Sequence, residues 1–297
     1  MTTMSTPVEP VTAVTPALLK GWQVNREAAD KSDRGNVLVV GGARRSPGAA
    51  MLTGRAALRV GAGRLTLAVT DSVAVAVAVA VPESGCAALP EDDGVISGSR
   101  AGKAIGTDLE TSDVVVVGPG LDDADSTAEL LRSIAPLMKD DASVVLDAYA
   151  LGVLPGLPEV YEGWAGRLVL TPNKKEAARL LDLDPEADLD VEQAALDIAA
   201  KYKAVVAAHG FITAPDGRRW EVPAGNSGLG TSGSGDVLAG AISGFLARKA
   251  SPEQAACWGT YLHSTAGDRL AAAQGPLSFL AGELLDAMPR VMAELTV

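Results

Sequence analysis

Along this chain, short and almost wholly apolar runs alternate with longer stretches whose apolar residues recur every three or four positions. Residues 36–40, 64–69, 114–117, 144–146, 168–170 and 204–207 read as strands. Between them, 47–60, 126–138, 174–181 and 191–202 read as helices, and an earlier helix is expected over 15–30. This order predicts a mostly parallel sheet with helices on both faces. After residue 210 the rhythm changes. Two short segments flank Pro215-Asp216-Gly217, a turn within a hairpin, and three helices finish the chain. No linker-like stretch intervenes, so 15–297 is expected to be one domain behind a loose arm, 1–14, which has no periodicity.

One segment admits two readings. Residues 72–81 alternate Val with Ala, and period two with β-branched residues favours a strand. Both faces are apolar, however, which leaves a buried helix open.

Composition narrows the function. Of 297 residues 47% are hydrophobic but only 4% aromatic, so the core is built from Ala, Val and Leu. A net charge of −12 argues against nucleic-acid or anionic-membrane partners, which need basic surfaces. The acidic stretches 91–93 and 122–123 read as solvated loops. Cys86 and Cys257 have apolar neighbours and read as buried thiols. The chain shows neither a charged-then-apolar leader nor an apolar run of membrane length, so a soluble cytoplasmic protein is expected.

The candidate chemistry centres on Gly225-Asn226-Ser227-Gly228-Leu229-Gly230-Thr231-Ser232-Gly233-Ser234-Gly235-Asp236, which runs into an apolar helix. Glycines let backbone N–H groups approach an anion, and a helix N-terminus adds partial positive charge. A carboxylate beside that anion is a liability unless it acts as a base, so Asp236 points to phosphoryl transfer. Two other readings stay open. Gly228, Gly230 and Gly233 fit a dinucleotide fingerprint, but at the wrong end of the chain. A plain loop capped by Ser234 or Asp236 also fits. A Walker loop is excluded, since no Gly-Lys-Ser/Thr follows.

Ligands of open α/β sheets collect beyond the carboxyl ends of the strands. Residues 41–48, 118–120, 147–149, 171–176 and 209–210 occupy such places. Asn173 and Glu176, three apart at a helix start, suit a hydrated Mg²⁺ near phosphates or simply a cap. Asp147 ends a strand. His209 and His263 lack metal-ligand spacing, and His263 reads as a packed core residue.

Taken in order, these motifs resemble the ADP/ATP-dependent NAD(P)H-hydrate dehydratases. The resemblance rests on 31–42, Pro47-Gly48-Ala49-Ala50, Gly61-Ala62-Gly63, Val81-Pro82-Glu83, Gly118-Pro119-Gly120-Leu121, Leu146-Asp147-Ala148, Leu170-Thr171-Pro172, the Gly-rich turn, and His263 with Ala266-Gly267-Asp268. It implies a ribokinase-like three-layer α/β/α sandwich in which 72–81 is a helix. It implies an enzyme, a lyase, that repairs hydrated nicotinamide cofactor by phosphorylating the hydroxyl from ADP or ATP, with Mg²⁺, and eliminating phosphate. Asp236 is then the catalytic base, and Gly233, Ser234 and Gly235 form the anion hole. Ala49, Gly120, Asn173 and Asp236 line the hydrate pocket; Glu176, from its spacing to Asn173 alone, is the candidate Mg²⁺ ligand. His209, Gly210, Phe211, Ile212, Thr213 and Gly235 contact the nucleotide. A homo-oligomer and a separate epimerase partner are implied too. This chain differs from the family pattern at Asn173 (usually His), His209 (usually Lys) and Tyr149 (usually an acid). A small-molecule kinase of the same architecture, or a nucleotide-binding homologue without catalysis, remains the alternative.

Overall fold

The computed structural model describes residues 10–24 and 30–296. The chain forms β1 (Thr12–Ala13), α1 (Pro16–Gly21), β2 (Asn36–Val40), α2 (Pro47–Arg59), β3 (Arg64–Thr70), α3 (Asp71–Ala80), β4 (Gly85–Leu89), β5 (Glu91–Asp92) and β6 (Val95–Ile96). Then follow α4 (Gly98–Ala104), α5 (Gly106–Thr111), β7 (Val114–Val117), α6 (Ala124–Ile134), β8 (Ser143–Leu146), α7 (Tyr149–Val153), α8 (Pro158–Tyr161) and β9 (Leu168–Leu170). The last part runs α9 (Lys174–Leu180), α10 (Val191–Tyr202), β10 (Val205–Ala208), β11 (Phe211–Thr213), β12 (Arg219–Glu221), α11 (Ser234–Ala247), α12 (Pro252–Gln274) and α13 (Ala281–Thr296).

Ten strands make one sheet in the order β1-β12-β11-β10-β9-β8-β7-β2-β3-β4, with β5 and β6 a separate hairpin. Seven strands, from β10 through β4 in that order, run parallel; β11 and β12 close the other side antiparallel. Successive residues of a strand face opposite sides. Val114 and Val116 join the core under α2, α11, α12 and α13, while Val115 and Val117 join the core under α4, α5, α6 and α10. A strand buried on both faces needs no polar alternation, which is why these read as continuous apolar runs.

Three expectations need correction. The arm does not extend to residue 14: β1 pairs with β12, Val14 N donates to Glu221 O at 2.7 Å, and Val14 is buried. Residues 1–9 lie outside the described part. The helix expected over 15–30 ends at Gly21, and the carbonyl of Trp22, its C-cap, accepts from Gln254 Nε2 and Trp258 Nε1 of α12. Residues 25–29 of that helix are outside the described residues. The acidic stretches are not plain loops either. Glu91–Asp92 is β5, and Asp123 caps α6 by accepting from Ser126 N at 2.8 Å.

Residues 72–80 fall in α3, with Val81 its C-cap, as the resemblance implies and against their period. Strands β3 and β4 are parallel neighbours, and a parallel connection must cross over the sheet. Tertiary topology thus overrides the period, and Ala at alternate positions costs a helix nothing. Cys257 is buried as expected, but Cys86 is only half-buried, its thiol donating to Ala74 O. Among the described residues no helix is long and apolar enough to cross a membrane.

Candidate active site

Strands β2, β7, β8, β9 and β10 all end at one edge of the sheet, and their loops are tied to each other. Gly42 N donates to Pro119 O at 2.8 Å and Ala43 N to Gly120 O at 2.9 Å. The chain turns at Gly118 with φ +124°, and a Cβ there would stand 1.8 Å from Asp147 O. A Cβ on Gly120 would meet Ala49 Cβ at 3.1 Å, so the two expected hydrate-pocket residues are neighbours.

The Gly-rich turn reaches this edge because α11 lies almost backbone-to-backbone on α2. A Cβ on Gly240 would sit 2.1 Å from Thr53 O, and one on Gly244 2.5 Å from Ala57 O. Only glycine permits that approach. The cap of α11 is Gly233 itself, in the left-handed region and without a side-chain cap, so the reading of Ser234 or Asp236 as a cap is not realised. The dinucleotide reading fails as well, since the preceding β12 is antiparallel to β11.

Within the expected anion hole the donors differ from the simplest picture. Ser234 N donates to Thr231 O at 3.2 Å, which closes the turn and occupies that amide. The amides of Gly233 and Gly235 have no acceptor among the described residues. Ser234 offers its hydroxyl instead, 2.9 Å from His263 Nε2.

A cavity of about 760 Å³ opens beside this turn. Thr171, Asn173, His209 and Gly210 form one wall, residues 224–227 and 229–231 with Ser234 and Gly235 the floor, and Thr260, His263 and Ser264 of α12 the other wall. Of the stretch expected to contact nucleotide, His209 and Gly210 line the cavity. Phe211, Ile212 and Thr213 run away from it into β11, where Ile212 and Thr213 are buried. Ala49, Gly120 and Asp236 are not among the residues that line it; Ala49 and Gly120 meet beside the loops after β2 and β7.

Three residues carry more than the sequence indicated. His263 is buried but bonded to Ser234 rather than merely packed. Asp268 clamps the floor, accepting from Gly225 N and Asn226 Nδ2, each at 2.9 Å. Thr260 holds a buried hydroxyl without a partner at the cavity wall. The spacing of 260, 263, 264 and 268 on one helix face is the signal that could have grouped them.

Asn173 and Glu176 form a capping box: Glu176 N donates to Asn173 Oδ1 at 3.0 Å and Asn173 N to Glu176 Oε2 at 2.9 Å. The box engages Glu176 Oε2 and Asn173 Oδ1. Asp147 accepts from Thr171 Oγ1 at 2.8 Å. Burial pushes the Asp236 carboxyl up to about 7, and the charges of Asp147 and Glu176 push the same way. Burial likewise lifts Glu176 to about 7, with Asp147 adding to it, and Asp147 itself to about 6. Three carboxylates thus crowd one end of the site. Their oxygen donors suit a hard cation, which would relieve the crowding. Among the described residues no group of three His, Cys, Asp or Glu side chains is placed to hold a metal ion by itself. The ring of His209 stays neutral at pH 7, its pKa lowered by partial burial and then by the Lys174 charge.

One consequence is directly measurable. Asp147→Asn removes a like charge from beside Asp236, so the Asp236 pKa falls. The acid limb of the kcat/KM profile is expected to move to lower pH; an unmoved limb would mean that Asp147 does not face the titrating base.

A glycine-rich turn that leads into a helix at the carboxyl edge of an α/β/α sandwich places the chain in the ribokinase-like class of folds. Within that class the chain belongs to the NAD(P)H-hydrate dehydratase family, whose profile matches residues 37–290. It is 40% identical over 96% of its length to the ADP-dependent (S)-NAD(P)H-hydrate dehydratase of Xanthomonas campestris pv. campestris, covering 97% of that protein. Over 95% of its length it is 37% identical to the bifunctional NAD(P)H-hydrate repair enzyme Nnr of Moorella thermoacetica, but spans only 54% of it. Among solved structures it superposes with a TM-score of 0.78 and 27% identity on the ADP/ATP-dependent NAD(P)H-hydrate dehydratase of Bacillus subtilis, co-crystallised with ATP/Mg²⁺, covering 96% of this chain and 99% of that one.

Proposed function

We propose that this enzyme returns (6S)-NAD(P)H hydrate to NAD(P)H by transferring the terminal phosphoryl group of ADP or ATP to the ring hydroxyl and then releasing phosphate. The placement of Asp236 in the first turn of α11, beside the free amides of Gly233 and Gly235, carries the reading. Asp236 takes the hydroxyl proton as the oxygen attacks phosphorus. The two amides and the helix N-terminus hold the charge that spreads over the transferring oxygens. The C–O bond then breaks toward phosphate, a far better leaving group than hydroxide, and the adjacent ring carbon gives up a proton to restore the double bond.

The nucleotide occupies the cavity between His209–Gly210 and α12, and the hydrated ring lies against Ala49 and Gly120. Asn173, on the cavity wall, contacts the substrate. Glu176, through the oxygen its cap does not use, would hold Mg²⁺, which supplies neutralising charge to the phosphates. We assign the enzyme to the cytoplasm as a homo-oligomer, working alongside a separate epimerase for the hydrate. Val75 and Val79 on α3, 79% and 78% exposed, offer an apolar surface for a second copy.

Incubation with authentic NADPH hydrate, Mg²⁺ and ADP or ATP tests the function. Near-ultraviolet absorbance of the restored ring and released phosphate are expected to rise together, about one to one by the proposed chemistry. Accumulation of a phosphorylated hydrate without absorbance would instead identify a kinase.

A further inference from the structure

His263 Nε2 lies 3.0 Å from the carbonyl oxygen of Ser234 and 2.9 Å from its hydroxyl. A carbonyl can only accept, so the shared nitrogen must carry the hydrogen; the other tautomer would set two lone pairs against each other. A protonated Nε2 cannot also accept from the hydroxyl. The hydroxyl oxygen therefore receives a share of the same N–H, and its own hydrogen is left over. That hydroxyl makes no other hydrogen bond among the described residues. Ser234 and His263 both line the cavity next to Gly235. The backbone amide of Ser234 is already spent on Thr231 O, so the residue can serve an anion only through this side chain.

We propose that His263 is a positioning residue, whose Nε2–H holds Ser234 so that the Ser234 hydroxyl hydrogen points to an anionic oxygen of the transferring phosphoryl group. The inference rests on the phosphoryl-transfer reading above for its ligand, but its geometry does not. His263 is buried and neutral at pH 7, because burial drives its pKa down to about 4, so its contribution is direction and not charge. The pair also explains why an α12 residue that touches no reacting atom sits opposite the first turn of α11.

Two measurements separate this inference from the function it rests on. Nitrogen-15 NMR of the imidazoles in the intact protein is simple, because the chain has only two histidines. Assigned by its loss in His263→Gln, the His263 ring is expected to be neutral with its hydrogen on Nε2. A hydrogen on Nδ1 overturns the proposal whether or not the hydrate is a substrate. Kinetics then test the role. Ser234→Ala and His263→Ala are each expected to lower kcat about a hundredfold at saturating nucleotide, with the nucleotide KM little changed. The double variant should be no worse than Ser234→Ala alone, since both remove one interaction. His263→Gln, which keeps an N–H at the same reach, should recover most of kcat. Additive losses, or a fall in melting temperature without a fall in kcat, would reduce His263 to a structural residue. Should wild-type enzyme fail to turn over the hydrate, the functional reading falls, and the tautomer still decides the geometry.

Discussion

Asp236→Asn is expected to lower turnover by about 10²–10⁴-fold while leaving the fold and nucleotide binding intact. The amide keeps the size of the carboxyl but cannot take the hydroxyl proton. The same change should also stabilise the free protein. Burial, then the charges of Asp147 and Glu176, hold the folded-state pKa near 7, well above the usual carboxylate range. Between about pH 4 and 7 the folded chain retains a proton that the unfolded chain releases, so stability from this group falls as pH rises through that window. Asn carries no such cost. Its melting temperature should therefore exceed that of wild type at pH 8 and converge with it at pH 4. Stability gained as activity is lost is the mark of a residue kept for its chemistry. A variant with wild-type turnover would remove Asp236 from the mechanism, and one that melts lower at pH 8 would contradict the electrostatic account.

The second large effect is on the scaffold. Gly118→Ala places a Cβ 1.8 Å from Asp147 O and 3.1 Å from Ala150 Cβ, at a φ of +124° that L-residues rarely adopt. Backbone cannot give way as a flexible side chain can, so about 3 kcal/mol or more should be lost. Because Asp147 is on the other side of the contact, activity should fall with stability. Gly106→Ala is the control: a Cβ there meets nothing within 4 Å, and the residue begins α5. It should be neutral or slightly stabilising. Urea unfolding midpoints with unchanged slopes would measure both. Equal midpoints for the two variants would show that the loop after β7 is looser than its contacts imply.

The parallel sheet was legible because its central strands are buried on both faces. Residues 36–40, 114–117 and 168–170 coincide with β2, β7 and β9. Edges and connections were harder to read. Strand β4, Gly-Cys-Ala-Ala-Leu, has no strand propensity to announce it and exists because β3 offers an edge. The short helices α4 and α5 went unseen for a related reason: Gly98 and Gly102 pack against the backbone of α6, a contact no local pattern reveals. In α3 a clear period was overridden by topology, and its helix was legible only through the family resemblance.

At the site, motif chemistry singled out the turn proposed as the anion cradle and the carboxylate proposed as its base, but hydrogen bonding decided which groups remain free. The Ser234 amide looked available until the turn closed on it, and His263 looked inert until it met Ser234. The Asn173–Glu176 pair could be read as cap or ligand from its spacing, and the structure realises the cap. Partnership among Asp147, Glu176 and Asp236, far apart in sequence, could come only from three strand and helix ends meeting at one edge.

The central claim is that the hydroxyl of the hydrate is phosphorylated before it leaves. Hydrate prepared in ¹⁸O-water carries the label in that hydroxyl, and one turnover with unlabelled nucleotide sends the oxygen to one of two places. The account predicts inorganic phosphate bearing one ¹⁸O, read by mass spectrometry or by the isotope shift in phosphorus NMR. Unlabelled phosphate, with the label in water, would mean that the hydroxyl departs without ever meeting phosphorus, and would contradict Asp236 as its base and the α11 turn as the phosphoryl cradle.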